Sequence, residues 1–115
     1  MQSKRLLAAS LEPVMLTLLA EGPKYGYEII QRARRLSNGR IQWSNSQLYP
    51  LLHRLETDGL VEAFWEASEN GPDRKYYRLT PQGLDALDAT KNEWRAMHAI
   101  FAELWGPEFT LGLAG

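Results

Sequence analysis

The chain has 115 residues, 44% hydrophobic and 23% charged, with a formal net charge of −1 and no cysteine. That length suits one domain with a single core, the composition is that of an ordinary soluble globular protein, and disulfides and thiolate metal sites are excluded. The small net charge hides a gradient, +3 over residues 1–60 and −4 over residues 61–115, which places the search for an anionic partner in the first half.

The opening MQSKRLLAASL sets Lys4 and Arg5 before an apolar run. Glu12 and Pro13 cut that run short of a membrane span or a usual signal-peptide core, so a cytoplasmic protein without a membrane partner is expected. Ser10 reads as an N-cap with Pro13 at the third helical position, where backbone amides lack partners anyway. Val14, Leu16, Leu18 and Leu19 carry this first helix to Glu21, and Gly22-Pro23 stops it. A second helix is predicted from about Tyr25 to Leu36, with Tyr27, Ile30, Ala33 and Leu36 inward, ending at Asn38-Gly39.

The third element is SNSQLYPLLHRLE, Ser44 to Glu56, closed by Asp58-Gly59. Leu48, Leu51, Leu52 and Leu55 repeat at the spacing of one buried helix face. Pro50 lies among them in sequence but opposite them on a helical wheel, near Ser46, His53 and Thr57. A proline inside a helix costs about 3 kcal/mol, to be offset by leucine packing and by the S-x-x-Q capping box of Ser44 and Gln47. The outer face then offers Asn45, Ser46, Gln47, Tyr49, His53 and Arg54, all able to hydrogen-bond phosphates or base edges. A merely solvated polar face is the plainer reading on periodicity alone.

Val61, Ala63 and Trp65 next alternate with Glu62, Phe64 and Glu66, and RKYYRL forms a second strand after a turn containing Asn70-Gly71-Pro72. The result is a hairpin with a loop of several residues. Thr80-Pro81 opens a last helix that runs to Leu104 or Trp105 before Gly106-Pro107, roughly 24 residues and ~36 Å at 1.5 Å per residue. Three short helices, a hairpin and a long helix make a mainly α fold with a β-hairpin wing, a winged helix-turn-helix. Residues 1–80 would form the DNA-binding domain with an N-terminal segment 1–10, residues 81–105 a dimerisation helix, and residues 106–115 a tail. In such a domain the third helix normally enters the major groove.

The segments GPKYGYEI (Gly22–Ile29), QLYPLLHRLETDGLV (Gln47–Val61) and RKYYRLTPQG (Arg74–Gly83) resemble the PadR-type transcriptional regulators, in that family's order and spacing. The long last helix is similar to that of the family's short subgroup. The resemblance implies a proline in the recognition helix and a final helix that crosses its counterpart in a second chain. The family more often has glycine and then serine or threonine where this chain has Ser46 and Gln47, and proline where it has Asn45. Base preference therefore does not carry over from a relative.

The wing supplies Arg74, Lys75 and, more weakly, Arg78 for phosphate or minor-groove contact. Solubilising charge is the plainer reading, with Glu66, Glu69 and Asp73 nearby. Lys24 and Tyr25 open the second helix, whose N-terminus could take a phosphate, and Lys4 and Arg5 are weaker candidates. On the last helix Leu87, Trp94 and Phe101 recur by seven, as do Met97 and Leu104, a stripe expected to form a dimer seam, with packing on the helix's own domain as the plainer alternative. Regulators resembling this one often sense planar aromatic molecules near that seam, and Trp94, Met97 and Phe101 could line such a pocket by stacking.

No enzyme is expected. His53 and His98 lie on different elements without metal-ligand spacing, and no nucleophile elbow or phosphate-binding glycine loop is present. No cofactor or metal is expected either. The expectation is a homodimeric, ligand-responsive repressor that binds double-stranded DNA at a pseudo-palindromic operator. Two alternatives remain: a winged-helix protein-interaction module without DNA binding, and a small-molecule carrier built on the tryptophans.

Overall fold

In a computed structural model, residues 4–106 are described, without the side chains of residues 4, 6 and 7. The elements run α1 (Lys4–Ala20), β1 (Lys24–Tyr25), α2 (Gly26–Leu36), α3 (Asn45–Thr57), β2 (Val61–Ser68), β3 (Gly71–Leu79) and α4 (Pro81–Trp105). The sheet is antiparallel, in the order β1-β3-β2. Residues 1–3 of the expected N-terminal segment and 107–115 of the expected tail lie outside the described residues.

The first helix starts earlier than predicted. Lys, Arg, Leu and Ala favour the helix strongly, so α1 begins at Lys4, and Ser10 and Pro13 fall inside it rather than at its cap. Met15, Leu16, Leu18 and Leu19 bury its inner face almost completely. The Thr17 hydroxyl donates to the Pro13 carbonyl at 2.8 Å.

Lys24 and Tyr25, expected to open α2, form β1 and pair with Tyr77 and Tyr76 of β3. The Tyr25 amide donates to Glu28 Oε1 at 3.1 Å, which starts α2 one residue later. The inward stripe is Gly26, Ile29 and Ala33, with Ile30 packed beside them. That stripe has spacings of three and four; the predicted one used threes alone, so its ends Tyr27 and Leu36 swing out and are exposed. Asn38 and Gly39 take left-handed conformations that break the helix.

Leu48, Leu52 and Leu55 of α3 are buried and Leu51 packs against them. The helix passes through Pro50 to Thr57 and ends in a Schellman motif. Leu60 N donates to Leu55 O at 2.9 Å and Gly59 N to Glu56 O at 3.0 Å, with Gly59 at φ +78.

The hairpin is longer and tighter than predicted. Its strands reach Ser68 and resume at Gly71, so Glu69-Asn70 alone make the connection, with an irregular register between Glu66 and Ser68. The third strand and the packing of α1 and α3 support the wing, which in isolation would be marginal.

The start of α4 follows the prediction. Thr80 Oγ1 accepts from Gly83 N at 3.0 Å and donates to Gly59 O at 2.6 Å, joining this helix to the end of α3. Gly83 is buried where a β-carbon would collide with the Leu60 carbonyl oxygen. Leu87, expected on the dimer seam, is only 4% exposed and belongs to the chain's own core with Val61, Tyr77 and the leucines of α1 and α3. Trp43 is also core.

Candidate nucleic-acid interface

The expected outer face of α3 is open. Asn45, Ser46, Gln47, Tyr49, Pro50, His53, Arg54 and Thr57 are all exposed, above the buried leucines. Pro50 thus sits where its missing N–H leaves no core contact unmade. At the first turn the Ser44 amide donates to Gln47 Oε1 at 3.1 Å, and the Ser44 and Ser46 hydroxyls share a hydrogen bond of 2.9 Å. The cap engages the Gln47 oxygen and leaves its amide NH2 as the donor it can offer a base or phosphate.

The wing closes one side of this face. Tyr49, Pro50 and His53 share a shallow groove of about 380 Å3 with Glu56, Lys75 and Tyr77. The Lys75 ammonium lies 5.6 Å from the centre of the Tyr77 ring. Burial pushes the Tyr77 phenol above its usual value, with Tyr49 and Glu56 adding to the effect. Glu56 and Tyr77 were not anticipated as groove residues. Only the three-dimensional docking of β3 beside α3 brings them there.

Arg74, grouped with Lys75 in sequence, projects to the other sheet face because neighbouring strand residues alternate. Its guanidinium stacks 4.6 Å over the Tyr25 ring. Tyr25 meets Tyr76 edge-on at 5.3 Å, Tyr76 stacks with Phe64 at 5.6 Å, and Arg78 lies 4.6 Å over Phe64. Arg78 also bonds Glu62 at 2.7 Å. That face is a row of rings covered by arginines.

Two further candidates have protein partners. Lys24 donates to Leu18 O at 2.9 Å and sits 3.3 Å from Glu21, its side chain mostly covered. Arg54 bonds Glu12 of α1 at 2.8 Å. Arg5 is exposed on the first turn of α1, and the Lys4 side chain lies outside the described residues. Arg34, Arg35 and Arg40, which drew no attention in sequence, are exposed on the run from the end of α2 toward α3.

Along α4, Trp94, Met97 and Phe101 line an open hollow of about 380 Å3 together with Glu93. Glu93 stands four residues before Met97, a spacing that could have disclosed it. Trp94, Met97, Ile100, Leu104 and Trp105 are exposed, and Phe101 stacks on Trp105 at 4.5 Å. Among the described residues there is no group of three or more His, Asp or Glu able to hold a metal, and no helix is long and apolar enough to cross a membrane.

Residues 15–89 match the transcriptional regulator PadR-like family. The chain belongs to this family. Its members are transcription regulators rather than enzymes, and PadR regulators bind DNA. A PadR-like transcriptional regulator from Bacillus cereus has a solved structure that superposes with a TM-score of 0.77 at 30% identity, covering 89% of this chain and 97% of that one. An uncharacterised protein of Lysinibacillus sphaericus is 33% identical over 95 residues, 83% of this chain and 87% of its own length. The transcriptional regulator Rv3488 of Mycobacterium tuberculosis is 37% identical over 73 residues, 64% of each chain. The match to the PadR-like family spans α3, the wing and the first part of α4.

Proposed function

We propose that this PadR-like regulator works as a homodimeric, ligand-responsive repressor on a pseudo-palindromic operator of double-stranded DNA in the cytoplasm. The observation that carries the reading is the groove in which Tyr49, Pro50 and His53 of α3 stand beside Lys75 of the wing. A helix face and a cation at one groove can address base edges and the adjoining phosphates together. Asn45, Ser46 and Gln47 lead this helix into the major groove, and Arg54 and Lys75 reach backbone. Arg74, Tyr25 and Lys24, on the far sheet face or already engaged, contribute less.

The exposed Trp94, Met97 and Leu104 of α4, with the half-buried Phe101 beside them, form the seam with a second copy, because aromatic and aliphatic surface of that extent is unfavourable in water. Two recognition helices then meet half-sites about one DNA turn, ~34–36 Å, apart. The hollow of Glu93, Trp94, Met97 and Phe101 would take a planar aromatic effector. Such an effector acts by favouring dimer geometries whose helix spacing no longer fits the operator, which requires different affinities for the two states.

Selection of bound sequences from a random duplex pool tests the reading. A recovered pseudo-palindrome with that spacing, and affinity that falls steeply with salt, is the expected result. Recovery of no preferred sequence would leave the chain a protein-interaction module.

A further inference from the structure

Arg54 is the cation most directly placed on the recognition helix, and it is not idle. Its terminal Nη2 donates to Glu12 Oε1 at 2.8 Å, with the two side chains 59% and 40% exposed. Glu12 stands on a fixed platform, since Met15, Leu16, Leu18 and Leu19 anchor α1 in the core. The pair closes the rim of a hollow of about 360 Å3 between α1 and α3, lined also by Ala8, Leu11, Pro50 and Leu51. Pro50 and Arg54 are one turn apart, so the proline's side of α3 is bordered by this ion pair on one flank and by Lys75 on the other.

We infer that Glu12 is an affinity-setting residue, which holds the Arg54 guanidinium against α1 and withholds its charge from DNA until a matching site draws it away. This rests on the DNA-binding reading above. An exposed ion pair is weak, on the order of 0.2–1 kcal/mol, so a phosphate can compete for the arginine. It does so only when the other contacts of the helix hold that phosphate in place. On unmatched DNA the helix is not seated, the pair persists, and one cation per subunit is lost to non-specific binding, which is almost wholly electrostatic. The carboxylate is displaced only at the matching site, so it lowers affinity there by the full strength of the pair, and at wrong sites by no more than the weaker phosphate contact they forgo.

The test uses the full chain as wild type, Glu12→Gln, Arg54→Ala and the double variant. Each is titrated by fluorescence anisotropy against a selected duplex and an unrelated duplex of equal length, over a range of salt. Glu12→Gln should tighten binding to the unrelated duplex by no more than roughly 2- to 5-fold per subunit and steepen its salt slope by about 0.9 per subunit. Binding to the selected duplex should tighten by at least as much, because there the wild type must break the pair, while its salt slope stays nearly unchanged since Arg54 already reaches a phosphate. In the Arg54→Ala background the same substitution should do nothing. An equal tightening there would mean that Glu12 merely repels DNA and would overturn the proposal, as would no change in either duplex. Both side chains are half exposed, so the variants should fold, which their thermal unfolding checks. If the wild type binds neither duplex, the DNA-binding reading itself fails. If it binds and Glu12→Gln is silent, only the role of Glu12 does.

Discussion

The hydroxyl of Tyr49 occupies the space that a β-carbon on Gly26 would need. α3 thus rests its groove-side tyrosine on the first turn of α2, and glycine is the residue that permits the approach. Gly26→Ala should displace the ring and weaken DNA binding, although alanine is the better helix former by about 1 kcal/mol. The nearest atom is the hydroxyl oxygen, so Tyr49→Phe should relieve most of the clash. A double-mutant cycle by urea denaturation should give a coupling of roughly 0.5–3 kcal/mol. Simple additivity would mean that the ring moves aside freely.

Gly83 meets a harder neighbour. A β-carbon there strikes the Leu60 carbonyl oxygen, and its own amide already serves the Thr80 cap. Backbone cannot step aside as a side chain can. Gly83→Ala should therefore destabilise by about 1–3 kcal/mol, and Thr80→Ala by about 1 kcal/mol through loss of the cap. Chemical denaturation measures both, and a gain in stability for Gly83→Ala would contradict the packing described.

The seven-residue repeat on α4 divides into two roles that the repeat alone could not separate. Leu87 is core, whereas Leu104 is 70% exposed. Leu87→Ala should cost about 2–5 kcal/mol in any oligomeric state. If the exposed face of α4 is the seam with a second copy, Leu104→Glu together with Trp94→Glu should leave the monomer's fold intact yet abolish the dimer in sedimentation analysis. A dimer that survives both changes would put the seam elsewhere.

Glu21 sets an acid limit on stability. Hydrogen bonding to Arg32 first, and to Lys24 second, holds its carboxyl down at about 2 against an ordinary value of 4.5. A depressed value means that the stabilisation is present above pH 4.5 and is lost as pH falls through about 2. The side chain is 37% exposed, so screening reduces the effect to on the order of 1 kcal/mol or less. Glu21→Gln should lower stability at neutral pH by that amount and flatten the acid limb of a stability–pH curve between those values. An unchanged acid limb would show the contact to be too fluctuating to matter.

What was legible in the sequence was local chemistry. The Ser44–Gln47 and Thr80-Pro81 caps, the leucine face of α3 and the exposed side of Pro50 each depend on residues within a turn or two of one another. What was not legible needed a distant partner. Two residues cannot announce a strand, and Lys24-Tyr25 become one only because Tyr76 and Tyr77 lie alongside. Glu12 and Arg54 are 42 positions apart, and no periodicity joins them. The start of α1 was misplaced for a different reason: Ser10 and Pro13 look like punctuation, but strong helix formers upstream and a fully buried face downstream outweigh them.

The split between Arg74 and Lys75 offers the sharpest test of the interface, because the two residues are adjacent and equally charged. Lys75 lines the groove beside Tyr49 and His53, while Arg74 caps the Tyr25 ring on the opposite sheet face. If the groove faces DNA, Lys75→Ala removes a phosphate contact. Affinity should then fall similarly for all sequences, and the salt slope should shrink by about 0.9 per subunit. Arg74→Ala instead removes a cation–π contact of about 0.5–1 kcal/mol, which should appear as lost stability of the wing with a salt slope close to that of the wild type. Anisotropy titrations over salt, paired with thermal unfolding, separate the two. Should Arg74→Ala flatten the slope and Lys75→Ala leave it intact, the wing presents its other face to DNA and the groove beside α3 is not the contact surface.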